Sequence, residues 1–375
     1  MIIKETKYSY NDLTVVPASI SRINSRSEVN PFDKNGMLPL FTAPMSTVVN
    51  DENIDFWIKN KIIPIIPRNI DIVKRRNYML FDNYWVALSL TEAKELFIDN
   101  NYLATAKICI DVANGHMKQL IDLCSQIKNK YRDKVIIMTG NIANPSTILD
   151  YEAARIDYVR CSVGSGSGCL TAPNTSVHYP IASLINECSK LKNDNFLKIK
   201  IVADGGIRNY GDVIKALALG ADYVMIGSVF AGLFESAAEF NTTSSQDKFR
   251  ITWPTVDYDD YGRNTTLHHI NCFDKDIDES IKRDVLQKYA FEKVFYGMST
   301  KKAQKLIKDD INKLKTSEGT TKIIRCKNTI NQWAENMEAY LRSAMSYCNS
   351  INLNEFIGEQ TLVLNSPAEI QAVNK

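Results

Sequence analysis

Long apolar runs are missing from this chain. None of its 375 residues lies in a stretch approaching the roughly 20 apolar residues a membrane-spanning helix needs, so no such helix is expected. The opening Met1-Ile-Ile-Lys-Glu-Thr-Lys7 lacks the apolar core of a secretory signal, which points to a cytoplasmic protein with reduced thiols. Net charge is scarce too: 45 basic side chains nearly cancel 43 acidic ones, leaving +2 and no broad attraction for nucleic acid or an anionic membrane. The eight cysteines include no Cys-x-x-Cys pair, and the four histidines do not fall at zinc-finger spacing. Most of the cysteines are therefore expected to be buried as small hydrophobes.

What is present is a repeating alternation. Short apolar or β-branched runs occur at Leu38–Thr42, Ile62–Ile66, Trp85–Leu88, Lys107–Ile110, Val135–Met138, Tyr158–Cys161, Lys200–Ala203 and Tyr223–Ile226. Segments of helical apolar spacing lie between them, among them His116–Lys128, Pro145–Ala154, Ile181–Leu191 and Gly211–Leu219. Strand followed by helix, eight times over, predicts an α/β fold of the (β/α)8 TIM-barrel type. The continuous apolar strands fit burial on both faces. A doubly wound open sheet is the competitor, but no dinucleotide fingerprint follows the first strand.

In such a barrel the chemistry sits just past the strand C-termini. The segments found there are Ala43–Ser46, Pro67–Asn69, Asp111–Gly115, the loop Gly164-Ser-Gly-Ser-Gly-Cys-Leu-Thr171, the turn Asp204-Gly-Gly206 and Gly227-Ser228. The glycine-rich loop can wrap its N–H groups around an anion, or turn the carbonyls of Gly164, Gly166 and Cys169 toward a monovalent cation. It also carries one thiol at its tip. Cys169 is thus the candidate nucleophile, which needs a depressed pKa or an assisting base. Thr171, two residues on, can donate or accept a proton at the same reaction centre. Asp111 has two readings, a cap for the following helix or a ligand contact.

The glycine-rich loop resembles that of the IMP dehydrogenase and GMP reductase superfamily. The likeness runs from Tyr8-Ser-Tyr-Asn-Asp-Leu13 to Leu341-Arg-Ser-Ala-Met-Ser-Tyr347. It implies a homotetrameric barrel with a purine mononucleotide across its rim and Cys169 attacking C2 of the base. It further implies that Asp204 grips the ribose, and that Ser167, Gly205, Gly206, Gly227 and Ser228 cradle the phosphate, as small residues with free N–H groups can. Met298 and Ser299 match the base-contacting segment. Met45, Asp111, Ala113 and Asn114 match the nicotinamide side, Arg68 stands near the reaction centre, and a potassium ion is implied for Gly164, Gly166 and Cys169.

Two reactions occur in that superfamily. The dehydrogenase activates water with an Arg-Tyr pair on a mobile flap. This chain contains no Arg-Tyr dipeptide, and 299–322 contains no arginine. The reductase moves a proton to a departing amine with a Thr–Glu pair, and Ser317-Glu318-Gly319 stands at the matching distance past Gly297-Met-Ser299. The resemblance therefore implies NADPH-dependent reduction of GMP to IMP and ammonia, with Glu318 paired to Thr171. The alternative, oxidation of IMP to XMP with NAD, draws on Ala43-Pro-Met45, Ser165-Gly-Ser167 and Asp204-Gly-Gly-Ile207, which look more like the dehydrogenase. One barrel domain is expected over 1–375. The linking segment Tyr78–Ala104 is too short for a CBS module. Residues 241–291 read as a polar insertion on the rim with its carboxylates Asp257, Asp259 and Asp260 solvated, and 299–325 as a flap. The helical pattern Ile330–Ser346 supplies the last barrel helix.

Overall fold

The structure, a computed structural model, describes residues 5–81, 83–100, 102, 105–241, 248–259, 262–307 and 319–373. Eight parallel strands follow in the expected order: β1 (Leu40–Thr42), β2 (Ile65–Ile66), β3 (Trp85–Leu88), β4 (Ala106–Asp111), β5 (Val135–Ile142), β6 (Tyr158–Cys161), β7 (Lys200–Asp204) and β8 (Tyr223–Ile226). Each pairs with its sequence neighbour, and β8 pairs with β1. The last seam, β1 to β2, is a bridge between Phe41 and Ile63 held by Thr42 N–H to Ile63 O and Ile63 N–H to Leu40 O, both 3.0 Å. The sheet is thus a barrel.

The strands bury both faces. One set of side chains packs outward against helices α1 (Ile54–Lys59), α2 (Ile72–Tyr78), α3 (Leu90–Lys94), α4 (Lys118–Tyr131), α5 (Thr147–Ala153), α6 (Ile181–Asp194), α7 (Tyr210–Ala218) and α8 (Ile330–Tyr347). The other fills the lumen: Phe41, Ile65, Trp85, Ala87, Cys109, Met138, Val202 and Met225. Tyr158 joins this plug through edge contacts with Phe41 at 6.2 Å and Trp85 at 5.0 Å, and Tyr223 through a tilted contact with Phe41 at 5.1 Å. Helix α8 completes the outer ring where Trp333 meets Phe230 at 4.8 Å and Tyr210 at 5.1 Å.

Two features depart from the sequence reading. Helix α4 starts at Lys118 rather than at His116, and β5 runs four residues past Met138. The insertion is also more than a polar loop. Strands Glu239–Phe240, Phe291–Tyr296 and Thr321–Cys326 form a three-stranded antiparallel sheet, and Arg250–Asp259 pairs with Gly262–Asn271 in a long hairpin. With helix Glu279–Lys288 they enclose a second core that includes Phe234, Phe240, Ile251, Trp253, Ile270 and Cys272. Ile251 and Trp253, two apart on one strand, and Ile270 on the other, with Cys272 just past its end, build that inner face. Buried Lys282 pairs with buried Glu235 at 3.3 Å and ties the insertion helix to the barrel, because Glu235 also accepts the first N–H of α8, from Ile330, at 2.9 Å. The expected flap begins with helix Lys301–Ile307 and ends in the strand Thr321–Cys326. Residues 308–318, with Glu318 among them, lie outside the described residues, as does Asp260.

One ion pair of the outer ring gives a pH prediction. Buried Arg75 on α2 donates to Ile70 O, to Ala87 O and, at 2.6 Å, to Glu92, which also closes the capping box of α3 through Ser89 N–H. Burial pulls the Glu92 carboxyl upward, but Arg75 and the Ser89 N–H outweigh it and hold it below the ordinary glutamate value of 4.5. A depressed carboxyl stabilises the fold above its unfolded value and loses that contribution as pH falls through the folded one. Glu92→Gln is therefore expected to melt several degrees below the parent protein at pH 7, with the gap closing below about pH 4.5. A gap that widens on acidification, measured by thermal melts across that range, rules the assignment out.

Candidate active site

The C-terminal mouth of the barrel collects the two glycine turns. The loop after β6 and the turn after β7 meet directly: a Cβ on Gly205 would lie 3.1 Å from Ser162 Oγ and 3.2 Å from Gly166 N. Gly205 and Gly206 both have positive φ, +107° and +75°, so this turn requires glycine twice. A cavity of about 350 Å³ opens beside it, lined in part by Ser165, Ser167, Gly206, Arg208 and the N-terminal residues Ser9 and Tyr10. The Ser165 and Tyr10 hydroxyls are buried there without a hydrogen-bond partner among the described residues.

Cys169 sits half-buried at the tip of the loop. Its Sγ is 3.2 Å from Thr171 Oγ1 and 3.5 Å from Thr171 N, so thiol and hydroxyl are already in contact. Cys169 N–H donates to Gly166 O at 2.9 Å, which folds the loop back on itself. The loop is held from above by the far end of the expected flap. Cys169 forms an antiparallel bridge with Gly319, Thr320 N–H donates to Gly168 O at 3.0 Å, and Lys322 Nζ donates to Ser167 O. Glu318 is the residue before that bridge, and its own position is outside the described residues.

Met298 and Ser299 follow the strand Phe291–Tyr296 in a tight turn closed by Thr300 N–H to Gly297 O at 3.1 Å. A Cβ on Gly319 would lie 3.1 Å from Ser299 Oγ, so this turn borders the residue bridged to Cys169. Across the mouth, Gly227 precedes the short helix Ser228–Ala231, and the Met45 sulfur rests 3.1 Å from where its Cβ would be. Met45 is thus brought beside the Gly227-Ser228 turn.

Asp111 closes β4 and does not cap α4, whose N-cap position is Met117. Its Oδ1 accepts from Arg160 Nη1 at 2.8 Å, and Arg68 Nη1 reaches its carbonyl at 3.4 Å. Ala113 and Asn114 lie exposed in the following turn, where the Asn114 side chain accepts from His116 N–H.

Arg160 and Asn141 went unnoticed in the sequence. Arg160 Nε and Nη2 both donate to Asp204 Oδ2, at 3.0 and 2.8 Å, and Asn141 Nδ2 adds a third bond to that oxygen at 2.9 Å. Four alternating charges result: Arg68, Asp111, Arg160 and Asp204. Burial alone would lower the Arg160 pKa, but the Asp204 and Asp111 carboxylates more than offset it and hold it well above the ordinary arginine value. Strand period explains the layer. Cys109, Tyr158 and Val202 point into the lumen plug, and two residues on along each strand stand Asp111, Arg160 and Asp204, one storey nearer the mouth. An arginine inside the otherwise apolar run of β6 was the available signal.

The sequence profile of the IMP dehydrogenase / GMP reductase domain matches residues 87–253 of this chain. GMP reductase of Oceanobacillus iheyensis is 31% identical over 265 residues, which is 66% of this chain and 76% of that protein. The chain belongs to the IMP dehydrogenase / GMP reductase family. GMP reductase of Buchnera aphidicola from Schizaphis graminum is 25% identical over 384 aligned residues, 98% of this chain and 96% of its own. GMP reductase of Caenorhabditis elegans is 28% identical over 284 residues, 75% and 64% respectively. As a member of that family the chain is an oxidoreductase. The profile match begins in β3 and stops inside the first strand of the insertion hairpin, so the second core lies mostly beyond it. No helix among the described residues is long and apolar enough to cross a membrane. No group of three or more His, Cys, Asp or Glu side chains among them could hold a metal ion.

Proposed function

We propose that this protein reduces GMP to IMP and ammonia with NADPH, through a covalent bond between Cys169 and C2 of the purine. The observation that carries the reading is the contact of the Cys169 thiol with the Thr171 hydroxyl on a loop bridged to Gly319, the neighbour of Glu318.

The phosphate is assigned to Ser167, Gly205, Gly206, Gly227 and Ser228. The cavity beside Gly206, lined by Ser167 and Arg208 and by a Ser165 hydroxyl that has no hydrogen-bond partner among the described residues, supports an anion there. Asp204 takes the ribose, since no hydrogen bond among the described residues reaches its Oδ1. Met298 and Ser299 border the base. Cys169 Sγ then attacks C2, and the ring nitrogen gains a proton. Thr171, relayed by Glu318, passes the proton with which the amine leaves as ammonia. Cys169 leaves again as thiolate once C2 is reduced and the ring nitrogen gives its proton back, so each turnover consumes one GMP, one NADPH and one proton per ammonia released, with a second proton taken up when ammonia becomes ammonium. The mouth fits a nicotinamide: Met45 supplies an apolar platform beside Gly227, Asp111 a carboxylate, and Ala113 and Asn114 an open edge. The bound nicotinamide supplies the hydride, and the residues fix distance and charge. The carbonyls of Gly164, Gly166 and Cys169 are the proposed seat of a potassium ion, and a cytoplasmic homotetramer is the proposed assembly. The single barrel, with 241–291 as its insertion and 299–325 as its flap, is taken as the functional unit.

The test is a matrix of GMP or IMP against NADPH, NADH, NADP and NAD, followed by the absorbance of reduced nicotinamide. GMP with NADPH is expected to consume one cofactor per ammonia released. Formation of NADH from IMP and NAD, without the first reaction, would assign the dehydrogenase instead, the reading favoured by Asp204-Gly-Gly-Ile207.

A further inference from the structure

We infer that Arg160 is a positioning residue that sets the ribose clamp and the nicotinamide-side carboxylate as one rigid unit, so that nucleotide and cofactor sites form together. The inference rests on the functional reading above. It concerns a residue that touches neither ligand in that reading.

The geometry is specific. One planar guanidinium spends its Nε and Nη2 on Asp204 Oδ2 and its Nη1 on Asp111 Oδ1. Its side chain is 7% exposed, and the two carboxylates it joins are 13% and 17% exposed. A guanidinium is a fixed fork, so rotating one carboxylate swings the plane that holds the other. The surroundings remove the slack. A Cβ on Gly140 would stand 2.4 Å from Arg160 O and 2.7 Å from Arg160 Cβ, so β5 can close on β6 here only as glycine. The residue after it, Asn141, pins the same Asp204 oxygen that Arg160 holds. The third neighbour, the Cys109 thiol at 3.6 Å from Nη1, is pushed up to about 12 by burial and stays neutral, so it does not compete for the cation. Asp204 is left with Oδ1 for a ribose hydroxyl. Asp111 Oδ2 lies 3.9 Å from Arg68 Nη1, on the side of the mouth given to the nicotinamide. The bridge has no counterpart in a lysine, whose single ammonium fixes no plane.

Arg160→Lys keeps the charge and removes the fork. It is expected to fold, to raise the KM for both GMP and NADPH by about ten-fold each, and to lower kcat by less than either. Asp111→Asn serves as the second variant, since it leaves the Arg160–Asp204 contacts in place and touches no nucleotide. Its IMP dissociation constant, measured without cofactor by calorimetry, is expected to rise at least about three-fold. A folded Arg160→Lys enzyme with either KM within two-fold of the parent overturns the inference. If that variant does not fold, an unchanged IMP affinity in Asp111→Asn overturns it. Failure of the parent protein to bind GMP or IMP overturns the functional reading and the inference with it. A parent that binds and turns over beside unaffected variants defeats the inference alone.

Discussion

Cys169→Ala is expected to lower turnover of GMP by at least about 10⁴-fold while GMP still binds within a few-fold of its parent affinity. In the proposed mechanism the substitution removes the nucleophile and none of the groups assigned to the nucleotide: Asp204, the Gly206 turn and Ser167 keep their partners. Little stability is at stake, because the thiol is half-buried and its hydrogen bonds among the described residues are with Thr171, so the change should stay below about 1 kcal/mol. The other cysteines cannot substitute. Burial pushes the thiols of Cys109, Cys124, Cys272 and Cys326 up to about 12, and the Cys161 thiol is raised by its contact with Cys188 and by burial. Burial raises Cys348 as well. Alkylation by iodoacetamide at neutral pH should therefore mark Cys169 first, with GMP protecting it. Single-turnover assays and peptide mass spectrometry read the two outcomes. Turnover above one per cent of the parent's in Cys169→Ala excludes the covalent route.

The barrel was legible because its signal is repeated eight times: each strand is a short apolar run, and most are followed within a few residues by a glycine, proline or carboxylate. Local ambiguity at one strand, such as Ile62–Ile66, of which only Ile65 and Ile66 are regular strand, is corrected by the other seven. The two glycine turns were legible for the opposite reason, since they break the local pattern. Arg160 was not, because a charged residue in a strand gives no hint of its partners until β4 and β7 are placed on either side at Asp111 and Asp204. Those contacts are 49 and 44 residues apart in sequence. The insertion failed for want of length. Its hairpin buries Ile251, Trp253 and Ile270, with Cys272 just past the second strand, spread through a segment otherwise polar enough to read as a loop. The clamp of 319–322 on the Cys169 loop was invisible for a different reason. Two of its three contacts end on backbone carbonyls, those of Gly168 and Ser167, and the third is a backbone bridge, so no side-chain pattern records it.

That clamp makes the second large effect predictable. Gly168→Ala should cut kcat by about 10²-fold although alanine suits the backbone conformation at this position. The added Cβ would lie 2.8 Å from Phe295 Cε1 and 3.3 Å from Cζ. Phe295 is buried in the strand that leads into the Met298-Ser299 turn, and that strand is paired on one side with Thr321–Cys326. The ring cannot retreat cheaply, so the loop must. Gly168 is also the residue whose carbonyl holds Thr320, and its neighbour is Cys169. Any shift relieving the clash moves the sulfur relative to the purine and loosens the bridge to Gly319 at once. Overpacking of this kind costs about 1–3 kcal/mol of stability, which a barrel of this size survives. A displacement near 1 Å at a reacting atom is enough to cost two orders of magnitude in rate. Phe295→Leu removes the offending ring edge, so the double variant should recover part of the lost kcat, whereas Phe295→Leu alone should cost activity through its own cavity. Recovery in the double variant identifies steric displacement of the loop as the cause. A Gly168→Ala enzyme within three-fold of the parent kcat means that the loop's place does not depend on the strand above it.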